Sequence, residues 1–461
     1  MNHSRLRRLT RREILRRGGA VSLAGIAAPW ALNLAALGEA AAQTAHDYKA
    51  LVCVFLYGGN DHADTLIPYD SGNYDAYRTI RGSIARERDT LSGTALLPSV
   101  ALPDACQMAL APELARLKRL FDAGKLGVVL NIGTLIEPTT LAQYKAGSVP
   151  LPPKLFSHND QQSVWQASLP EGATSGWGGR LGDLFLSSNG NSTFTCVNLS
   201  GNAVFMSGRQ ALQVQLSPTG PVALRGAASP LFGSQVCSDA LRALVTAPHA
   251  HLLEGELTRV MGRAIDSHHS LSAALAGVAA LATPFSAANP LAMQLQMVAR
   301  VIAARDALGA RRQVFFVSIG GFDHHDLLST LHPGLLAQVA EAITSFYDAT
   351  VELGVANQVT TFTASDFGRT LTSNGDGSDH GWGSHHFVVG GAVRGQRFFG
   401  ELPATAVNGP HDVGQGRLLP TTSVDQLAAT FASWLGVSAT DIASVVPHIV
   451  NYSTRDIGLF A

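Results

Sequence analysis

The stretch "DHGWGSHH" at 379–386 sets one carboxylate and three imidazoles within eight residues. Carboxylate oxygens and neutral imidazole nitrogens together form a ligand set for borderline cations such as Zn²⁺ and Mn²⁺. The competing reading is a polar loop rich in histidine. Six of the sixteen histidines (His324, His325, His332, His380, His385 and His386) fall within one 63-residue window. Three apolar runs end in similar polar clusters. "YKALVCVFLYGGND" ends at Asp61, "RQVFFVSIGGFD" at Asp323 with His325 just beyond, and "NQVTTFTASDFGRT" at Asp366 and Arg369. Two divalent ions held about 4 Å apart by such donors polarise a phosphoryl or sulfuryl oxygen and activate a nucleophile. Strand-end aspartates also cap helices and satisfy loop amides, so each cluster has a structural reading as well.

The elements that must position these groups are legible from the apolar pattern. The runs are continuous rather than alternating, which predicts strands buried on both faces. Between them lie helical patterns. "PELARLKRLFDAG" opens with Pro112 and stops at Gly124, "GLLAQVAEAITSFYDATVEL" is long, and "SVDQLAATFASWLGV" is capped. Strands alternating with helices predict an α/β fold: a doubly wound, mostly parallel central sheet flanked by helices. Residues 187–250 carry short strands and polar turns and are expected to form a small peripheral β-rich insertion. In open sheets of this kind ligands bind beyond the carboxyl ends of the strands. Groups hundreds of residues apart can therefore share one site.

The chain has 461 residues, 46% hydrophobic and 15% charged, enough for one large domain with a substantial core. The first 42 residues hold seven arginines and two acids, leaving 26 basic against 32 acidic residues in the remainder. That balance gives no electrostatic case for nucleic acid or an anionic membrane as partner. "TRREILRRGG" at 10–19, an apolar run at 20–37 and "AAA" at 40–42 read as a twin-arginine (Tat) signal peptide spanning 1–42. The mature domain is then 43–461, periplasmic or secreted, with the Tat translocase as a transient partner and no stable membrane span. The four cysteines form no CxxC pair, and Cys53 sits in an apolar run where a buried thiol is expected.

Five motifs occur in order: "FLYGGNDHADTLIPYD", "FSHNDQQSVWQ", "GGFDHH", "SDFGRT" and "DHGWGSHHFVVGG". Together they resemble domain of unknown function family 1501, a group of Tat-exported bacterial proteins similar to the alkaline phosphatase and sulfatase superfamily. The resemblance implies an alkaline-phosphatase-like sheet with two divalent metals, Zn or Mn before Mg or Ca, at its carboxyl edge. It implies metal ligation by Asp61, by Asp323 and His325, by Asp379 and His380, and by His385 or His386. Ser157 is the expected nucleophile, at the start of a helix where amide dipoles favour an anion. His158 stands beside it, and Arg369 is placed to meet a bound anion or to pair with a carboxylate. No formylglycine motif is present, His62 stands where the family usually has Gly, and Asp366 stands where many members have Glu.

These readings favour a periplasmic metal-dependent hydrolase acting on phosphate or sulfate esters of a small molecule or polymer. A catalytically inactive binding or assembly protein of the cell envelope on the same fold is the alternative. A redox protein lacks any supporting CxxC, CxxCH or dinucleotide motif.

Overall fold

The structure is a computed structural model that describes residues 47–461 except Ala228. The expected signal peptide at 1–42 lies outside the described residues.

The strands used below are β1 (Lys49–Leu56), β2 (Leu126–Gly133), β3 (Cys196–Asn198), β4 (Gln213–Ser217), β5 (Gly220–Pro221), β6 (Arg312–Ile319), β7 (Val359–Ser365), β8 (Arg369–Ser373), β9 (Ser378–His380), β10 (Ser384–Gly390), β11 (Arg397–Phe399) and β12 (Thr422–Ser423). The helices are α1 (Ser71–Arg81), α2 (Ala115–Asp122), α3 (His158–Ala167), α4 (Trp177–Phe185), α5 (Gln235–Thr246), α6 (Leu252–Ala276), α7 (Pro290–Ala303), α8 (Leu328–Glu352) and α9 (Val424–Leu435).

One ten-stranded sheet runs in the order β11-β2-β10-β7-β1-β6-β3-β4-β5, with β12 also on β2. β1 pairs parallel with both β6 and β7, and β3 continues the parallel run into β4. β10 is antiparallel to β2 and β7. The expected doubly wound, mostly parallel α/β fold is the one that forms.

The apolar run of β1 explains the layering. Successive strand residues point to opposite faces. Ala50, Val52, Val54 and Leu56 enter one core, with residues of α1, α2, α7 and α8. Leu51, Cys53 and Phe55 enter the other, with Trp165 of α3, Trp177 of α4 and Phe431 of α9. Both faces are dry, so the run has no reason to alternate.

Residues 187–250 are less separate than the sequence suggests. β3 and β4 extend the main sheet instead of forming a sheet of their own. The segment also ends in α5, whose N-cap Ser234 accepts from the Cys237 amide.

Candidate metal centre at the carboxyl edge

β1, β6 and β7 end level, with Leu56 opposite both Ile319 and Ser365. The loops beyond them meet at once. Gly58 has φ +115, and a Cβ there would lie 2.5 Å from the Asp323 amide nitrogen. Only glycine lets these two strand-end loops touch. The β8–β9 hairpin pairs Arg369 with His380 across its strands, and α3 brings in His158 as its first residue.

Asp323, His158, His325 and His380 converge. His380 Nε2 lies 3.1 Å from His158 Nε2, 2.9 Å from His325 Nε2 and 3.3 Å from Asp323 Oδ1. His158 Nε2 is 3.4 Å from Asp323 Oδ2, and His325 Nε2 is 3.1 Å from Asp323 Oδ1. The other nitrogen of each ring is held. His158 Nδ1 donates to Asp366 Oδ2 at 2.6 Å, His380 Nδ1 donates to the Phe156 carbonyl at 2.8 Å, and His325 Nδ1 meets Asp379 Oδ1 at 3.2 Å. Carbonyl and carboxylate oxygens only accept, so each neutral ring keeps its Nε2 lone pair for the centre. This is how metal-binding histidines are oriented.

The donor set fits a divalent cation. Lone pairs facing each other at such distances repel unless a cation or proton lies among them. Donors arranged tetrahedrally around zinc, with bonds of about 2.0–2.1 Å, are about 3.3 Å apart. The observed separations lie near that value. His158, Asp323 and His380 each offer an atom within 4.8 Å of the others. Two imidazoles and a carboxylate make a three-ligand set that leaves coordination positions open. Asp323, Asp366 and Asp379 bring three carboxylates to the cluster, and the Arg369 guanidinium pairs with Asp323.

Charge and burial set the rings apart. The hydrogen bond that His158 donates to Asp366, joined by the carboxylate's charge, raises the His158 pKa. Burial, with the charges of His158 and Arg369, lowers that of His380. Burial works against the Asp323 carboxylate, but the hydrogen bond and charge of Arg369 hold it below the usual range. Arg369 does more than neutralise. It donates to Asp323 Oδ1 at 2.9 Å, to the Gly58 carbonyl at 2.8 Å and to the Ser378 carbonyl. It pairs with a carboxylate of the protein.

The other expected residues lie elsewhere on the same edge. Asp61 is fully buried and its oxygens are used internally. Oδ1 accepts from the Asp64 amide, while Oδ2 accepts from Ser378 Oγ at 2.6 Å and Arg81 Nη2 at 2.9 Å. His385 and His386 are neighbours on β10, so they face opposite sides of the sheet. His385 Nδ1 accepts from the Asn131 amide at 3.0 Å and its ring stands edge-on to His62. His386 meets Thr363 Oγ1 at 3.2 Å and stands edge-on to Trp165. The structure thus brings together Asp323, His325, Asp379, His380, His158 and Arg369, and leaves Asp61, His385 and His386 outside. The Ser157 hydroxyl donates to Asp160 Oδ2 at 2.9 Å.

Two contributors went unassigned in the sequence, Asp366 as the His158 orienter and the Phe156 carbonyl; Gln162 donates to Asp366 Oδ2 at 2.8 Å. Phe156 has φ +71, a left-handed conformation costly for an aromatic residue. Arg417 covers its ring and donates to the His380 carbonyl at 2.7 Å. The short spacing from Phe156 to His158 was the only available signal.

The chain matches the family described as Protein of unknown function (DUF1501) over residues 48–446. No curated protein matches it. Among solved structures it is similar to Ps i-CgsB in complex with k-i-k-neocarrahexaose, at 10% identity and a TM-score of 0.36, covering 89% of this chain and 77% of that chain. It is also similar to the PsFucS1 sulfatase from Pseudoalteromonas sp., at 10% identity and a TM-score of 0.35, covering 88% and 72%.

Proposed function

The chain belongs to the DUF1501 family, and within it we propose a metal-dependent hydrolase of phosphate or sulfate esters that acts after Tat export to the periplasm or beyond. The reading rests on one observation: three Nε2 lone pairs and the Asp323 carboxylate converge, and each ring is fixed by a partner on its far nitrogen.

His158, Asp323 and His380 would hold a divalent ion, with zinc or manganese suited to mixed nitrogen and oxygen donors. Such an ion polarises an ester oxygen and lowers the pKa of bound water. Asp366 and Phe156 keep His158 and His380 in the tautomer that binds. Arg369 balances part of the carboxylate charge and fixes Asp323. His325, oriented by Asp379, stands at the rim with its side chain 41% exposed. It is placed to accept a proton from an attacking oxygen or return one to the leaving group. One ion replaces the two expected, because Asp61 is already compensated by Arg81.

Elemental analysis of the full chain should find about one divalent ion per molecule. A panel of phosphate and sulfate monoesters should be hydrolysed, with activity lost in His325→Gln while the ion is retained. Protein that binds no ion when zinc and manganese are supplied overturns the reading. The inactive binding or assembly protein is the second reading, favoured by the hydrogen bond that ties the Ser157 hydroxyl to Asp160. Full metal occupancy with no turnover on either ester class selects it.

A further inference from the structure

The turn between β8 and β9 lies against the loop that carries Asp323 and His325. A Cβ at Gly377 would sit 2.3 Å from the His325 carbonyl oxygen, so a larger residue would push turn and loop apart. The Ser378 amide donates to the His324 carbonyl at 3.1 Å. At the loop's other end Leu327 is the N-cap of α8, with no capping group of its own. Asp376 serves there from the turn. Its Oδ2 accepts from the Leu327 amide at 3.1 Å, and its carbonyl accepts from the Leu328 amide at 3.0 Å. The backbone of His325 is therefore pinned on both sides.

Asn374, at the exposed tip of the turn, acts on the ring. Its Oδ1 accepts from the Gly377 amide at 3.1 Å, which decides which end of the carboxamide is oxygen and which is nitrogen. Nδ2 then donates to Asp379 Oδ1 at 3.0 Å. The same oxygen meets His325 Nδ1 at 3.2 Å. A chain of hydrogen bonds thus runs from the Gly377 amide through Asn374 and Asp379 to His325.

Asp379 has little else to hold it. Its amide donates to Thr370 Oγ1 at 2.9 Å, which fixes the backbone. Among the described residues its carboxylate meets only Asn374 and His325. The side chain is 39% exposed, so without Asn374 it can turn to water. His325 Nδ1 would then lose its acceptor. A ring without that acceptor is free to carry its proton on Nε2, the nitrogen that faces the centre.

We propose that Asn374 is a positioning residue that holds Asp379 on His325 and so keeps the Nε2 lone pair of that ring turned to the metal centre. This role rests on the reading of His325 as the group that moves the proton during ester hydrolysis. Asn374 acts only through Asp379.

Asn374→Asp in the zinc-loaded full chain tests it. The new carboxylate still accepts from the Gly377 amide, which preserves the turn, but the donor facing Asp379 is gone. On a phosphate or sulfate monoester that the unsubstituted chain hydrolyses, kcat should fall about fivefold, roughly the worth of one hydrogen bond. KM, zinc affinity and melting temperature should stay unchanged. Nitrogen NMR reads the same change without turnover, as the His325 ring passes from one Nδ1–H tautomer to a mixture of two. Asn374→Asp combined with Asp379→Asn restores the donor–acceptor pair in reverse, and should recover most of the lost kcat and the single tautomer. Unchanged kcat and unchanged ring signals in Asn374→Asp overturn the positioning role. A fall in kcat that tracks a loss of zinc, or that the reversed pair does not recover, makes Asn374 a structural residue only and overturns it as well. If the unsubstituted chain hydrolyses neither ester class, the proposed hydrolase falls, and the ring signals alone decide whether Asn374 positions His325.

Discussion

Asp61 and Asp323 each follow a Gly-Gly-X turn after a buried strand, and the strands β1 and β6 are direct neighbours. Their surroundings differ in kind. Asp61 is sealed, with Arg81, Ser378 and the Asp64 amide consuming its oxygens. Asp64 beside it is likewise taken up by Arg86 and His332. The Asp323 side chain is 45% exposed and shares its cluster with three imidazole lone pairs and the Arg369 guanidinium. A carboxylate given its own buried cation becomes part of the scaffold. One surrounded by imidazoles and open to solvent is left able to recruit a cation.

The largest effect should come from the open cluster. His380→Ala removes the ring at its centre and should lower metal affinity by at least about a hundredfold, read by titration with zinc. Full retention of metal would erase the distinction between the clusters. In the sealed cluster, Arg81→Met strands the Asp61 charge and should cost about 3–5 kcal/mol of stability in urea unfolding. Zinc affinity of the folded fraction should stay unchanged. Asp366→Asn keeps the shape but weakens the grip on His158, and should lower metal affinity about 10–100-fold with little change in melting temperature.

Protonation sharpens the contrast. Burial pushes His62 down to about 4 and His386 down to about 3. Both stay neutral in the folded chain while the unfolded chain takes up protons below about 6.5. Their contribution is fully present above that value and is lost as pH falls toward 3–4. Going from pH 7 to pH 5 should cost on the order of 1–2 kcal/mol per ring, and His386→Gln should flatten the urea-midpoint profile. The smallest effect belongs to the exposed pair Arg119–Asp348 at 2.7 Å. Arg119→Ala should change stability by about 0.5 kcal/mol or less.

The sheet was legible because strands buried on both faces leave continuous apolar runs, as in residues 49–56. The antiparallel course of β10 was not, since "HHFVVGG" reads alike in either direction. Convergence at the carboxyl edge was legible from the polar strand ends. The sorting of those ends was not. "GGND" and "GGFD" look alike, and the difference between them is Arg81, which folds back from the last turn of α1 twenty residues later. His158 was legible as a site residue beside Ser157, but its direction depends on Asp366, 208 positions away. His385 and His386 looked like ligands by residue type, while the two-residue period of a strand sends them to opposite faces.

The donors around His380 come from parts of the chain that synthesis produces far apart. His158 and His380 are separated by 222 positions, and the loops carrying them meet only after β1, β6 and β7 have lined up. Contacts this distant form late, because the entropy of closing long loops must be met first. Ion capture at this rim would follow the assembly of the sheet instead of guiding it. A chain that had acquired its ion would by that fact be a finished one, and occupancy would serve as a maturation mark.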